Sequence, residues 1–303
     1  MGEYDFSVGV LLIGLFFNTY LYGLVTCQFI TYGTTKFNDP LWIRFIVWTL
    51  FVTDTAHSII AIYAGYDMCV TNYGNPASLL LVSWTIPVLA IATAFAAILT
   101  QAFLGHRVYV FMKSKILSGI LGLLSIVAFI FAVYAGYLAI EVKEVTHFNR
   151  LEIPVTCWLV LQTATDLILN GLLIYILARQ RTGVQRTDTV LKRLIRGAVQ
   201  SGLFVTVFAM GDLFSFRFRS ATNLYAMFAY PIGRVYTNTL MDTLNTRVNL
   251  RAIMDTTIDM DATVSPMLFT LIILLISVSE RIPYARSSNE RERYTTQIRH
   301  QKH

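Results

Sequence analysis

Residues 117–140 read LSGILGLLSIVAFIFAVYAGYLAI and contain no charged side chain. A helix that crosses the hydrocarbon core of a bilayer needs about 20 predominantly apolar residues, so this stretch is long enough to span a membrane. Lipid offers the backbone no hydrogen-bond partners, and a helix satisfies its own amide and carbonyl groups. The stretch therefore predicts a transmembrane helix and, with it, a membrane protein.

Six further segments of similar length and character flank this one. They are residues 8–31, 41–65, 79–104, 154–178, 196–216 and 221–245. The composition agrees, because 55% of the 303 residues are hydrophobic and 14% are charged, whereas soluble domains carry about 25% charged residues. We therefore predict an all-α membrane bundle of seven transmembrane helices over residues 1–250, with short loops that make successive helices neighbours.

Basic residues are divided unevenly between the two ends of this predicted bundle. Thirteen Lys and Arg residues fall on one side, and four fall on the other: Lys143, Arg150, Arg217 and Arg219. Lys and Arg accumulate in cytoplasmic loops, so the richer side is predicted to be cytoplasmic. The N-terminus is then outside and the C-terminus inside, in the plasma membrane or an endomembrane.

The C-terminal tail, residues 251–303, contains an eighth apolar run, PMLFTLIILLISV at 266–278. This run is shorter than a spanning helix needs. A crossing there would also carry Arg281, Arg286 and the other basic residues of the tail outward, against the positive-inside bias. We predict that the segment does not cross the membrane.

Four ionisable residues lie near the middle of three predicted helices. Asp54 and His57 are one turn apart in the second segment, Asp166 is in the fifth and Arg234 is in the seventh. A charged side chain at the bilayer centre costs at least about 2.5–3.5 kcal/mol, so such residues face the bundle interior and find partners. Arg stays protonated and needs at least one carboxylate. The four residues are therefore predicted to form an ion-paired layer in the core.

Polar residues extend this layer along two of the helices. The seventh segment adds Tyr230 and Asn238 beside Arg234, and the fifth adds Asn170 to the face of Asp166, because residues three or four apart share a helix face. Two interpretations stay open. One is a network of interhelical hydrogen bonds that fixes helix register, and the other is a ligand cavity or proton path.

Three cysteines occur, at positions 27, 69 and 157, and none forms a C-x-x-C pair. Zinc-finger and dithiol redox motifs are therefore excluded. Cys69 and Cys157 both fall on the predicted outer side, where disulfides persist. A Cys69–Cys157 disulfide and two unpaired thiols are both compatible with the sequence, since the sequence does not give the Cα separation.

The sequence carries little that predicts catalysis or a cofactor. A catalytic metal site needs about three converging protein ligands, and His57 is the one histidine inside a predicted span. All lysines lie outside the spans, which excludes retinal attached to an intramembrane lysine. Neither a G-x-S-x-G elbow nor a phosphate-binding glycine loop occurs. We expect no metal, no cofactor and no enzymatic activity.

The distribution of basic residues also indicates the partners. These residues lie in short segments between apolar runs, which is typical of cytoplasmic loops and not of a nucleic-acid site. We expect contact with membrane lipids and no nucleic acid. The basic loop at 179–196 is a candidate surface for a cytosolic partner.

Short pieces along residues 8–250 match one family in order and spacing. They are Leu21-Tyr22-Gly23 with Gln28 and Tyr32, Asp54 with His57, Gln101 with Phe103 and Arg107, Asp166, Arg186-Thr187-Asp188 with Leu191, and Tyr236, Asn238, Leu244, Asn245 and Arg247. In these pieces the chain resembles the seven-span membrane proteins of mushroom-forming fungi that carry domain of unknown function 6534. The resemblance implies this architecture and a fungal membrane location, and it implies no activity.

The leading functional hypothesis from the sequence is a receptor-like or sensor-like protein. A small external ligand or a lipid would enter from the outer side and act on the ionisable core. One alternative is a proton-coupled transporter that uses the same layer as a relay, and another is a membrane enzyme with the two Asp residues as acid and base. An outward-open polar cavity that ends at Arg234 and is closed below favours the receptor. A cavity reachable from both sides or a broken helix favours transport, and a lateral opening to lipid with Asp54 facing Asp166 favours the enzyme.

Overall fold

Helices make up nearly all of the described chain. The computed structural model describes residues 8–35, 37, 39–75, 82–142, 149–179, 185–218 and 224–258. Within these ranges there are seven α-helices and no strand: α1 (Val10–Thr34), α2 (Leu41–Tyr66), α3 (Thr85–Met112), α4 (Lys115–Glu141), α5 (Asn149–Arg179), α6 (Gln185–Phe218) and α7 (Leu224–Ile258). The predicted all-α class is confirmed.

Five of these helices, α1 to α5, are long and apolar enough to cross a membrane. The second qualifies together with a π-helical turn, Asp67–Thr71, that continues it. Large apolar side chains cover the outward faces, and Phe16, Trp48 and Ile126 are each more than half exposed. Such a surface is stable against lipid and not against water. These five helices indicate a membrane protein, as predicted.

The helices form a closed ring in chain order, with α3 and α7 toward its centre. Each helix packs against the next one along the chain, and α1 closes the ring by packing against α7. The last helix also packs against α2 and α3, and α3 packs against α5. Groups on α3 and α7 are therefore within reach of nearly every other helix.

The two ends of the bundle differ in packing. The largest apolar cluster includes Val25, Leu50, Leu169, Leu240 and Met241, all fully buried. It occupies the end where α1, α3, α5 and α7 finish, which we call the packed end. The opposite end, where α3, α5 and α7 begin, holds the cavity described below and is called the cavity end.

α3 extends beyond the predicted end of its segment at residue 104. The helix continues past Arg107 to Met112 and stops where Lys113 takes a left-handed conformation with φ of 52°. Ser114 then caps the first turn of α4. The prediction ended the segment at its first charged residues, whereas a long basic side chain can stay on a helix and reach the membrane surface.

The prediction for the C-terminal tail is not tested by the described residues. α7 passes the predicted domain boundary at residue 250 and ends at Ile258. Residues 259–303, which include the apolar 266–278 segment, lie outside the described residues.

Cys69 and Cys157 are both free thiols in the structure, which is the second of the two alternatives that the sequence left open. Cys69 lies in the π-helical turn after α2, and Cys157 lies in α5. The second helix packs against α1, α3 and α7, whereas α5 packs against α3, α4 and α6. The two thiols are thus on helices that α3 separates.

α1 and α7 approach each other closely at Gly14. An added Cβ there would lie 2.7 Å from the Ala226 carbonyl oxygen and 2.8 Å from the Met227 Cα. Both atoms belong to the backbone of α7 and cannot rotate away. The glycine therefore allows direct backbone contact, a use of small residues that is typical of helix packing in membranes.

We expect Gly14→Ala to lower the thermal unfolding temperature of the detergent-purified protein. The added methyl group must push α1 away from α7, and overpacking of this kind costs about 1–3 kcal/mol. Gly23→Ala is the matched control on the same helix, because nothing lies within 4 Å of its added Cβ. Equal unfolding temperatures for the two variants would contradict the close contact.

Candidate functional site

A buried ion pair joins α7 to α2 in the middle of the bundle. The Arg234 guanidinium donates through Nη1 to Oδ1 of Asp54, and each side chain is 1% exposed. The ring of Tyr22 on α1 lies 5.8 Å from the guanidinium carbon, which is a cation–π distance. The structure thus joins two of the four residues that the sequence placed at one depth.

Several polar atoms around this pair have no hydrogen-bond partner among the described residues. They are Asp54 Oδ2, Arg234 Nε and Nη2, His57 Nδ1, Ser58 Oγ and both amide atoms of Asn18. Buried polar groups nearly always have a protein or water partner. We expect ordered water to complete these bonds. The ion pair then belongs to a polar layer contributed by α1, α2 and α7.

His57 connects this layer to α3. Its Nε2 lies 3.3 Å from Oγ1 of Thr93. The contact is buried, and Gly233 of α7, next to Arg234, packs close to the same threonine. Thr93 also lines the cavity described below, so it lies between the ion pair and the cavity.

Asp166 belongs to a second network and not to the ion pair. Its Oδ1 accepts from Gln101 Nε2 at 2.8 Å, and its Oδ2 accepts from the Tyr236 hydroxyl at 2.5 Å. Gln162 Nε2 donates to the same hydroxyl at 2.8 Å, and the Trp158 indole N–H donates to Gln162 Oε1 at 2.5 Å. A continuous chain of hydrogen bonds thus runs along α5 and links it to α7 and α3.

The other predicted site residues take different positions. Tyr230 is buried on α7 and lines the cavity. Asn170 is partly buried on α5 and packs against α6 beside Gly202. Asn238 is partly buried on α7. The seven predicted residues therefore do not converge on one point.

A cavity of about 100 Å³ lies at the cavity end of the bundle. Five helices, α3 to α7, contribute its walls, which consist mainly of alanine, leucine, isoleucine and aromatic side chains. The polar wall residues include Thr93, Gln162 and Asp212. Thr93 is the contact of His57, and Gln162 is part of the chain that ends at Asp166. Both polar networks therefore reach the cavity wall.

The predicted site residues did not include Gln101, Gln162, Asp212 and Tyr236, although Gln101 and Tyr236 are among the residues of the family resemblance. The signal for Asp212 was present, because it is a charged residue inside the predicted segment 196–216. Gln162 lies one turn before Asp166, so helix periodicity would have placed both on one face. Their joint contact with Tyr236 depends on how α5 and α7 pack, which spacing along one helix does not reveal.

A second buried ion pair closes the packed end. Arg247 of α7 donates to both carboxylate oxygens of Asp39, at 2.7 and 3.0 Å, and the Tyr32 hydroxyl donates to the same carboxylate at 2.6 Å. The guanidinium carbon of Arg247 also lies 4.5 Å from the centre of the Phe37 ring. Bidentate Arg–carboxylate pairs are strong and directional. This contact joins the C-terminal half of α7 to the loop between α1 and α2.

The described residues contain no group of three or more His, Cys, Asp or Glu side chains that could hold a metal ion. The carboxylates are instead dispersed, and Asp39, Asp54 and Asp166 each bind a different set of side chains.

Comparison with protein families supports part of the resemblance. Residues 162–249 match the model of a family of unknown function, DUF6534. The matched segment contains Gln162, Asp166, Asp212, Arg234 and Tyr236, and so covers parts of both networks. Neither the curated proteins nor the solved structures give a match.

We expect Arg234→Gln and Asp54→Asn each to destabilise the protein strongly in thermal unfolding. Removing one partner leaves the other charge buried and unpaired, which costs about 3–5 kcal/mol. The double variant removes both charges and should recover part of this loss. The matched control is Glu152→Gln in the pair with Arg217, where the side chains are 41% and 56% exposed and the expected loss is about 0–1 kcal/mol.

This expectation fails if Glu152→Gln is as destabilising as Asp54→Asn, or if the double variant is less stable than both single variants. Either result would show that the buried charges do not depend on each other.

Proposed function

We propose that the chain is a receptor-like or sensor-like membrane protein without enzymatic activity. It crosses the bilayer seven times, with its N-terminus outside and its C-terminus in the cytoplasm of a fungal cell, in the plasma membrane or an endomembrane. The observation that carries the proposal is the cavity. Arg234 is not among its described lining residues, but Gln162 in its wall bonds to Tyr236 of α7, and Thr93 in its wall contacts His57 of α2, one turn from Asp54.

The two helices beyond the five apolar ones are part of the proposed bundle. α6 and α7 contain 34 and 35 residues, and about 20 residues are enough to cross. They pack against each other and against α5 and α1. The central charges of α7 are buried and paired, Arg234 with Asp54 and Arg247 with Asp39, so they do not face lipid.

The proposed orientation places the cavity on the outer side. α3 and α7 begin, and α4 ends, at the cavity end, which the positive-inside rule makes external. A small molecule or lipid would enter there. The basic residues of the 179–196 loop would then lie in the cytoplasm, where a partner protein and anionic lipid headgroups are available.

The occupant would act on α7 through the cavity wall. A ligand that shifts Gln162 alters the bonds to Tyr236 and, through it, to Asp166. A ligand that shifts Thr93 alters the contact to His57 beside the ion pair. Packed cores and interfaces change between discrete arrangements and do not deform smoothly. Movement at the outer wall can therefore be transmitted to the inner helix ends.

Two observations favour this function over the alternatives. A transporter of the broken-helix type has interrupted spans near the substrate, whereas α7 contains Pro231 but stays helical through it and through Arg234. A paired-carboxylate enzyme needs its acid and base to face one substrate, whereas Asp54 bonds to Arg234 and Asp166 bonds to Gln101 and Tyr236.

We expect an N-glycosylation acceptor with a flexible spacer to be modified when inserted after Asn75, between α2 and α3. The same cassette inserted after Lys113, between α3 and α4, should stay unmodified. Acceptors are glycosylated on the luminal side, so the test works for the plasma membrane and for endomembranes. The readout is a mass shift that a glycosidase removes. Modification of the Lys113 cassette alone would reverse the proposed orientation.

We further expect a stabilising ligand to change the spacing of the inner helix ends. The purified protein is first screened by thermal shift against lipids, sterols and small metabolites, since a ligand of the folded state raises the unfolding temperature. Spin labels at Met112→Cys and Val199→Cys, both exposed on α3 and α6, then report the distance in a background without native cysteines. A stabilising compound that leaves the distance unchanged and accumulates in proteoliposomes would favour transport instead.

Tyr236→Phe tests the coupling directly. It removes the hydroxyl that joins Gln162 to Asp166 and should keep the thermal shift while it reduces the distance change. Tyr175→Phe is the control, because Tyr175 is exposed on α5. If Tyr236→Phe shows the same distance change as the wild-type protein, the signal does not pass through the bonds of Tyr236 to Gln162 and Asp166.

A further inference from the structure

Asp212 is a buried carboxyl group in the cavity wall. It lies on α6, is 6% exposed, and is the one charged residue among the described residues that line the cavity. Within the described part of the chain it has no hydrogen bond or ion pair. The nearby basic residue on its own helix, Arg217, pairs with Glu152 at the surface. Burial of a carboxylate without a counter-charge is costly, so a cationic occupant beside Asp212 would stabilise its ionised form.

Aromatic side chains surround the same space. Trp158, Phe216, Tyr225 and Tyr230 all line the cavity, and the rings of Phe216 and Tyr225 meet edge to face at 5.9 Å. The faces of aromatic rings carry negative potential and attract organic cations, quaternary ammonium groups above all. The walls therefore offer a carboxylate and several aromatic rings to one ligand.

Two of the hydrogen-bond donors in the wall are already engaged within the protein. The Trp158 indole N–H is bound to Gln162, and the Gln162 amide is bound to Tyr236. The described wall residues include no Lys, Arg or His that could bind an anionic ligand. The arrangement therefore discriminates by charge more than by hydrogen bonding.

The volume limits the size of the ligand. About 100 Å³ holds roughly seven to ten water-sized groups. This is small compared with drug-sized pockets of about 300–1,000 Å³. A compact ammonium ion with a few methyl or methylene groups suits this volume.

We propose that the cavity binds a small organic cation, with its ammonium group beside the Asp212 carboxylate and its alkyl groups against Trp158, Tyr225 and Tyr230. This inference rests on the proposed function and names the chemical class of its ligand. Free quaternary amines and trimethylammonium lipid headgroups share this chemistry.

The test is a set of thermal-shift titrations of the purified full-length protein. The probes are choline, tetramethylammonium and the neutral isostere of choline in which carbon replaces nitrogen. Choline and tetramethylammonium should raise the unfolding temperature, and the neutral isostere should raise it much less. A short-chain phosphatidylcholine, compared with a phosphatidylglycerol of the same chains, shows whether the headgroup of a lipid binds as the free cation does.

Asp212→Asn removes the charge with almost no change of shape and should weaken choline binding about tenfold or more, since a bond to a charged group is worth about 1.5–3 kcal/mol. Asp242→Asn is the control, because Asp242 is an exposed carboxyl on α7. Comparison of the neutral isostere with choline on the wild-type protein tests the same point if Asp212→Asn does not fold.

Equal shifts from choline and its neutral isostere would overturn the cation proposal and leave a ligand cavity in place. Wild-type choline affinity in Asp212→Asn would do the same. If no probe shifts the unfolding temperature, the cation class is wrong, and the screen with other compounds still decides whether the protein is a sensor.

Discussion

The ion pair between Arg234 and Asp54 is the constraint on which the rest of the bundle depends. Each charge is costly to bury without the other, so α7 turns Arg234 inward and α2 turns Asp54 toward it. Once the rotation of α7 is set in this way, Tyr230, one turn earlier, faces the cavity, and Tyr236 reaches the carboxyl of Asp166 on α5. One buried contact thus orients the side chains of both polar networks.

The bundle is asymmetric along its axis, and this asymmetry suits a sensor. The cavity end contains open volume. The packed end combines the large apolar cluster with the bidentate Arg247–Asp39 pair. Close-packed interiors transmit strain because they are dense and have few voids. In the proposed mechanism, a ligand acts where the structure can yield, and the response emerges where helices are held to each other firmly.

The all-α fold class could be predicted from the sequence, but the partners of the ionisable side chains could not. Apolar length is a local property, so segments such as 117–140 matched α4 (Lys115–Glu141) to within two residues. The sequence also placed Asp54, Asp166 and Arg234 at a common depth. Which carboxyl meets Arg234 depends on helix neighbours, and α5 packs against α3, α4 and α6 while α2 contacts α7. Arg247 shows the same limit, because its positive charge indicated a cytoplasmic end and its bond to Asp39 was not foreseeable.

The separation of Asp54 and Arg234 along the chain affects how the protein is made. The two residues are 180 positions apart, and translation proceeds at about 5–20 residues per second, so roughly ten to forty seconds pass between their synthesis. During that interval Asp54 has no arginine to neutralise it, and immediate insertion of α2 would place an unpaired carboxyl in the membrane. Assembly therefore requires either a temporary shelter for this carboxyl, such as the insertion machinery or a protonated state, or delayed insertion of α2. A chain interrupted before its last helix would keep this defect permanently, which gives membrane quality control a simple feature to recognise.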